Sequence, residues 1–321
     1  MEKIKLGVIG VGHLGQHHAA KYAAMSDVEL MGVADVNLAR AREVAARHQV
    51  RAVDDYRALL PLVDAVSIVV PTRQHFAVAK ACLDHGVDVL LEKPMTVTLA
   101  EADALVAQAE LCNRILQVGH VERFNPAVMA MEQYLSNPVF IEAQRIHGFN
   151  PRGADVDVVL DLMIHDLDLI LSLVPSPVKS VQAVGIPVVT DTSDIASVRL
   201  VFENGCTANL TASRISKTTV RKLRIFQAKS YISLDYGKKE ITVIERREGR
   251  EADGMPKEAA RHFCFADTDA LETELKAFVW NVRRRGTPKV SGVEGRRALK
   301  MALYIVELMK NFVAEHQELL S

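Results

Sequence analysis

The sequence predicts an α/β protein: a doubly wound parallel sheet, followed by an α+β domain with a large, mostly antiparallel open sheet. Three observations carry this expectation. From Lys3 to about Gly119, short runs rich in Val and Ile alternate with segments of helical period. Those runs lack polar alternation, as expected of strands covered on both faces by helices. Beyond Arg123 the candidate strands crowd together without helices between them, which implies antiparallel pairing.

In order, the first five strands are expected at Lys5–Ile9, Val28–Ala34, Ala65–Val70, Val87–Leu91 and Ile115–Val118. Helices are expected between them at Gly15–Met25, Ala39–His48, Asp55–Leu60, His75–His85 and Leu99–Asn113. A helix at Pro126–Leu135, a strand at Val139–His147 and a helix at Val158–Leu173 open the second half. Strands follow at Val178–Val189, Asp194–Phe202, Cys206–Ser213, Val220–Ala228, Tyr231–Asp235 and Glu240–Arg246. Asn204-Gly205 is a favoured hairpin turn between two of them. Segment Glu248–Ala260, polar and holding Gly254 and Pro256, reads as a loop. The chain closes with helices at Asp269–Arg285 and Gly292–Leu319. The change of texture divides it into domains 1–122 and 123–321, and 321 residues suit about two domains.

Hydrophobic residues make up 49% and charged residues 25%, which excludes a disordered tail, a collagen and a coiled coil. With 39 basic and 40 acidic residues the net charge is −1, against a nucleic-acid or membrane-surface partner. No apolar run approaches the ~18–20 residues of a membrane span. The N-terminal apolar stretch is too soon broken by glycine for a signal sequence. Cys82, Cys112, Cys206 and Cys264 are far apart, with no metal or redox spacing. A cytoplasmic protein with plain thiols and no metal is the expectation.

Gly10-Val11-Gly12-His13-Leu14-Gly15 is a GxGxxG between a buried strand and a helix, the context that gives this motif meaning. Gly10 permits a tight turn, Gly12 lets the backbone approach a pyrophosphate, and Gly15 lets helix and strand pack closely. The helix N-terminus then presents N–H groups to phosphates. Asp35 ends the second strand, placed to accept hydrogen bonds from a ribose diol and to repel a 2′-phosphate. This favours NAD over NADP on a Rossmann domain.

Pro71-Thr72 and Glu92-Lys93-Pro94 end two further strands, where open α/β sheets bind ligands, and His75 follows close enough to line the cleft. A lysine beside a cationic nicotinamide has its charged form disfavoured and suits proton exchange with a substrate hydroxyl. Asp161, His165 and Asp168 follow i, i+4, i+7 on an expected helix and share one face. A carboxylate beside an imidazole fixes its tautomer and raises its basicity. The alternative is an exposed polar face of an amphipathic helix.

In this order, the glycine turn, Asp35, Pro71-Thr72 with His75, Glu92-Lys93-Pro94, Val118-Gly119 and Asp161-x-x-x-His165-Asp166 resemble the Gfo/Idh/MocA oxidoreductase family. The resemblance extends to the late segment Pro288–Gly295. It implies a sugar or polyol dehydrogenase with Lys93, Asp161 and His165 at its active site. NAD contacts are expected from Gly10, Gly12, His13, Leu14, Gly15, Asp35, Pro71, Thr72, His75, Glu92 and Lys93. It further implies an often cis Lys-Pro bond and a homodimer or homotetramer joined through the second sheet. Within the family, Gly119–Pro126 and Asp157–Asp168 are most similar to members that oxidise C3 of UDP-N-acetylglucosamine for amide-linked lipid A. One departure is that Val158-Val159-Leu160 stands where many members carry glycines. Arg123, Asn125 and Arg145 are the expected substrate contacts, the two arginines toward the diphosphate. A free polyol substrate, or an NAD-holding sensor without turnover, are the alternatives. Whether Lys93 or His165 takes the proton stays open.

Overall fold

The computed structural model describes residues 2–150, 156–250, 256–265, 267–316 and 318. The chain forms two compact units, one of residues 1–121 with 270–299 and one of 122–269 with 300–321.

The first unit is a six-stranded, wholly parallel sheet. Its strands are β1 (Ile4–Ile9), β2 (Val28–Ala34), β3 (Arg51–Val53), β4 (Ala65–Ile68), β5 (Asp88–Glu92) and β6 (Leu116–Gly119), in the order β3-β2-β1-β4-β5-β6. Strands β4, β5 and β6 are buried at every position, which is why their sequences carry no polar alternation. The intervening helices are α1 (Gly15–Ala24), α2 (Leu38–His48), α3 (Thr72–Asp84) and α4 (Leu99–Leu111). The α4 helix starts with a capping box between Thr98 and Glu101. Strand order reverses between β1 and β4, the switch point at which such sheets bind ligands.

Two expectations change in this unit. The expected helix at 55–60 is a pair of 3₁₀ turns, Tyr56–Ala58 and Leu60–Leu62, preceded by the three-residue strand β3. Residues 270–299, expected in the second domain, pack with the first. On α7 (Ala270–Arg284), Leu275, Phe278, Val279 and Val282 join a core of Leu6, Val8, Tyr22, Val28 and Leu90. Those apolar residues recur at helical spacing, and the face of the sheet beside α1 is where they become buried.

The second unit holds an eight-stranded sheet in the order β14-β13-β12-β11-β7-β10-β9-β8. The strands are β7 (Phe140–Ile146), β8 (Val178–Ile186), β9 (Ile195–Phe202), β10 (Thr207–Ser213), β11 (Val220–Gln227), β12 (Ser230–Asp235), β13 (Glu240–Arg250) and β14 (Pro256–Cys264). Only β7 and β10 pair in parallel; every other neighbour is antiparallel. Burial alternates along β7, with Ile141, Ala143 and Arg145 inward. The inner face carries α5 (Pro126–Met131) and α6 (Ile164–Leu173). On the other face Phe140, Phe226 and Tyr231 form a cross-strand aromatic row with ring spacings of 5.5 and 5.0 Å.

The loop expected at Glu248–Ala260 is largely a hairpin of β13 and β14. Its outer residues are polar because that end is exposed to solvent. Residues 251–255 of that expectation, and 317 and 319 of the expected last helix, lie outside the described residues. The last helix, α8, spans Gly292–Glu315. Among the described residues no helix is long and apolar enough to cross a membrane.

Candidate active site

In the first unit the glycine turn leaves β1 and enters α1. Gly10 has φ +86°, and a Cβ there would lie 2.7 Å from the Val69 carbonyl group. A Cβ on Gly15 would lie 1.9 Å from the Gly10 carbonyl oxygen, so only glycine fits. His13 and Leu14, between them, are exposed. Asp35 follows β2: its Oδ2 accepts the Val11 N–H at 3.0 Å and its Oδ1 the Asn37 N–H at 2.9 Å. The Arg40 Nε donates to the Val11 carbonyl at 3.1 Å, bracing the same turn.

A cleft of about 540 Å³ opens at the switch point, lined by Gly10, Gly12, Asp35, Val70 and Pro71. Asp54, Tyr56 and Gln74 also line it, and sequence reasoning missed all three. Asp54 directly follows β3, a strand of three residues that leaves almost no periodic signal. Tyr56 carries the Arg57 guanidinium over its ring at 5.0 Å, and burial raises its hydroxyl pKa. The turn, the acid at the end of β2 and the apolar cleft fit a dinucleotide. The turn at Gly12 would hold its pyrophosphate and Asp35 its adenosine ribose. Two carboxylates at the ribose end, Asp35 and Asp54, oppose a 2′-phosphate.

Pro71 caps α3 and Thr72 is its first residue. His75, expected to line the cleft, is only 1% exposed. Its Nδ1 lies 2.9 Å from the Pro94 carbonyl and its Nε2 2.9 Å from that of Val70. It thus links the end of β4 to the turn carrying Lys93. Burial lowers its pKa, against hydrogen bonds to those carbonyls that raise it. The Lys93–Pro94 peptide is cis. Glu92 turns its carboxylate into the unit, 3.3 Å from the fully buried His18 Nε2, and accepts the Lys93 N–H at 3.2 Å. Gly119 packs against that carboxylate: a Cβ there would lie 2.9 Å from Oε1. Glu92 therefore supports the strand end from within, and Lys93, half-buried, directly follows β5.

In the second unit Asp161 lies in a π-helical turn, Val159–Met163, that runs directly into α6 carrying His165. Asp161 and His165 are partly exposed, whereas every residue from Asp166 to Ile170 is buried. This is not the polar face of a surface helix. Asp168 is more deeply buried than Asp161 or His165: it is 2% exposed, with Oδ2 3.9 Å from an Arg123 nitrogen.

The three expected substrate contacts lie in a buried polar network of the second unit. Arg145 is 4% exposed. Its Nε and Nη2 donate to the two Asp166 oxygens at 2.9 and 3.0 Å, and Nη1 donates to Glu122 at 2.9 Å. Its guanidinium also lies 5.0 Å from the Tyr236 ring centre. Burial opposes its charge, but both carboxylates outweigh that and raise its pKa further. Asn125 caps α5, accepting the Ala127 N–H at 3.1 Å and donating to Glu122 at 3.2 Å. Arg123 is 7% exposed and faces Asp168. All three residues anchor α5 and α6 within their own unit, because each carries the charge or hydrogen-bond partner that a buried neighbour requires.

Chemically, the first unit offers a dinucleotide cleft and a lysine at a strand end. The second offers a carboxylate and an imidazole four residues apart, on a turn fixed from beneath. Lysine and histidine can exchange a proton with a substrate hydroxyl near neutral pH when suitably tuned.

Comparison with known proteins shows the family. The profile of the oxidoreductase family with an NAD-binding Rossmann fold matches residues 4–120, and that of the GFO/IDH/MocA C-terminal domain matches 132–233. A UDP-N-acetylglucosamine 3-dehydrogenase of Acidithiobacillus ferrooxidans is 42% identical over 98% of this chain and 99% of its own. A crystal form of that enzyme superposes with a TM-score of 0.90 at 41% identity, covering 98% of this chain and all of the other. A myo-inositol 2-dehydrogenase of Thermotoga maritima is 27% identical over 92% of this chain and 93% of its own. The chain is therefore an NAD-binding oxidoreductase, and it belongs to the Gfo/Idh/MocA family.

Proposed function

We propose that this oxidoreductase converts the C3 secondary alcohol of UDP-N-acetylglucosamine to a ketone, with NAD as acceptor. The observation that carries the reading is the 42% identity, over nearly the whole of both chains, to an enzyme bearing that name. When bound, NAD supplies the hydride acceptor. The residues of this chain do the rest. Gly10–Gly15 and Asp35 hold the dinucleotide. As the C3–H bond breaks, the hydroxyl proton passes to Lys93 Nζ or to the His165 imidazole, and Asp161 orients that imidazole. The electron pair of the O–H bond becomes the second bond of the carbonyl. We further propose a cytoplasmic homodimer or homotetramer, supported by the solvent-facing row of Phe140, Phe226 and Tyr231. The keto product is set up for transamination, in which an amino-acid donor gives up its amino group and becomes a 2-oxo acid, in line with amide-linked lipid A synthesis.

The test is absorbance of NADH after mixing protein, NAD and UDP-N-acetylglucosamine, with a glutamate-dependent aminotransferase to draw off the ketone. A rise with the UDP-sugar and none with inositol or glucose is expected. Lys93→Ala and His165→Ala should each lose ~10²–10⁴-fold in turnover, and His165→Ala should retain NADH binding. A rise with inositol alone would move the assignment to free polyols.

A further inference from the structure

Arg214 is the bulkiest fully buried side chain among the described residues, and nothing in the reaction above uses it. It directly follows β10 and faces Asp194, which directly precedes β9. The Arg214 Nε donates to Asp194 Oδ1 at 2.8 Å. Its Nη2 donates to the hydroxyls of Thr190 and Thr192, each at 2.8 Å. Its Nη1 donates to the carbonyl of Val156 at 2.6 Å. Asp194 is equally enclosed: its Oδ2 accepts the N–H groups of Val188, Val189 and Thr190 at 2.8, 2.6 and 2.9 Å. Burial opposes the charge on Asp194, yet these N–H groups and Arg214 outweigh it and hold the carboxyl well below the usual range.

A buried ion pair is a weak source of stability, since the desolvation of both charges offsets most of their attraction. Its distinctive property is direction: a guanidinium has five donors in a rigid plane, so it fixes several partners at once. Here the partners are the turn between β8 and β9 and the segment that enters the π-helical turn. The Val156 carbonyl is held by Arg214, and the Val158 N–H donates to the Ser193 carbonyl at 3.2 Å. Between them Asp157 accepts the Val159 N–H on its Oδ1 at 2.9 Å. The Asp157 carbonyl accepts the Asp161 N–H at 3.0 Å. The chain of contacts therefore runs from Arg214 and Asp194, through residues 156–158, to the backbone of Asp161.

We propose that Arg214 and Asp194 are positioning residues that set the π-helical turn and thereby the placement of Asp161 and His165. The proposal rests on the reading of Asp161 and His165 as the acid–base pair. Arg214→Lys keeps one charge beside Asp194 but cannot reach all four partners. Thr192→Val removes one hydroxyl and leaves the ion pair, so it is the milder variant should the lysine variant fail to fold.

Two readouts judge it on the full chain. The first is the imidazole NMR signal of His165, identified by its loss in His165→Ala, which needs no substrate. It should move or broaden in both variants, while the signals of His13, His17, His18 and His75 in the first unit stay in place. The second is turnover of UDP-N-acetylglucosamine with NAD. Arg214→Lys should lower kcat by about ten- to a hundredfold, with KM within about threefold and NADH affinity unchanged, as misplacement of a proton-transfer group predicts. Folded variants with an unmoved His165 signal and wild-type kcat would overturn the proposal. Should His165→Ala itself turn over at the wild-type rate, the acid–base reading fails, and the positioning role falls with it. Inactive wild-type protein refutes only the substrate assignment, and the His165 signal then decides the positioning role.

Discussion

His75 shows what burial does to a polar residue beside a functional turn. A neutral imidazole carries one N–H, so it donates to the Pro94 or the Val70 carbonyl, not to both. Burial lowers its pKa from the usual 6.5, so below that value the unfolded chain binds a proton that the folded chain resists. The contribution of His75 to stability is therefore complete above about pH 6.5 and lost as pH falls through its folded value. His75→Gln keeps amide donors for the carbonyls but cannot titrate. Urea unfolding between about pH 5 and 7.5 should show a shallower loss of stability in this variant, by up to ~1.4 kcal/mol per pH unit. An unchanged slope would remove His75 from the titrating set. The strand-end residues were legible in the sequence because position alone defines them: Asp35 and Lys93 each end a buried run. The ion pair of Arg145 was not legible, because Asp166 lies beside it only after β7 and α6 pack.

Among elements, legibility followed the strength of the periodic signal. Strands β4, β5 and β6 are covered on both faces, so an unbroken apolar run betrayed each one. The outer end of the β13–β14 hairpin is exposed, so its strands read as a polar loop. Strand β3 is too short to show alternation, and with it the cleft residues Asp54 and Tyr56 were hidden. The π-helical turn before α6 was equally invisible, since it differs from an α-helix in hydrogen bonding rather than in composition. The glycine turn was the opposite case: its contacts are backbone to backbone, so residue identity alone reports them. Gly15→Ala places a methyl group where the Gly10 carbonyl oxygen stands, and neither backbone can give way freely. Such overpacking costs about 1–3 kcal/mol. Its expected expression is NADH binding weaker by roughly tenfold or more, read by fluorescence titration. Wild-type affinity in this variant would mean that the turn does not shape the dinucleotide site.

At the scale of the whole molecule, the division suggested by texture near residue 122 misses the return of the chain. Texture reports what each segment is, and α7 is an ordinary amphipathic helix that either unit could use. The choice is made by the first sheet. Without α7, the face of β1 and β2 beside α1 would lack Leu275, Phe278, Val279 and Val282, all at most 6% exposed in the folded protein. Uncovering apolar surface loses about 25 cal/mol per Å², and a small domain with an incomplete core is marginal. A fragment of residues 1–122 should therefore show no cooperative thermal transition and no NADH binding. The same fragment joined to residues 270–299 through a flexible Gly/Ser linker should recover both. The linker leaves the packed surfaces unchanged, and closure of even a long loop adds only a fraction of a kcal/mol per doubling of length. Cooperative unfolding and NADH binding by residues 1–122 alone would show instead that the dinucleotide unit is complete where its texture changes, and that α7 merely rests on it.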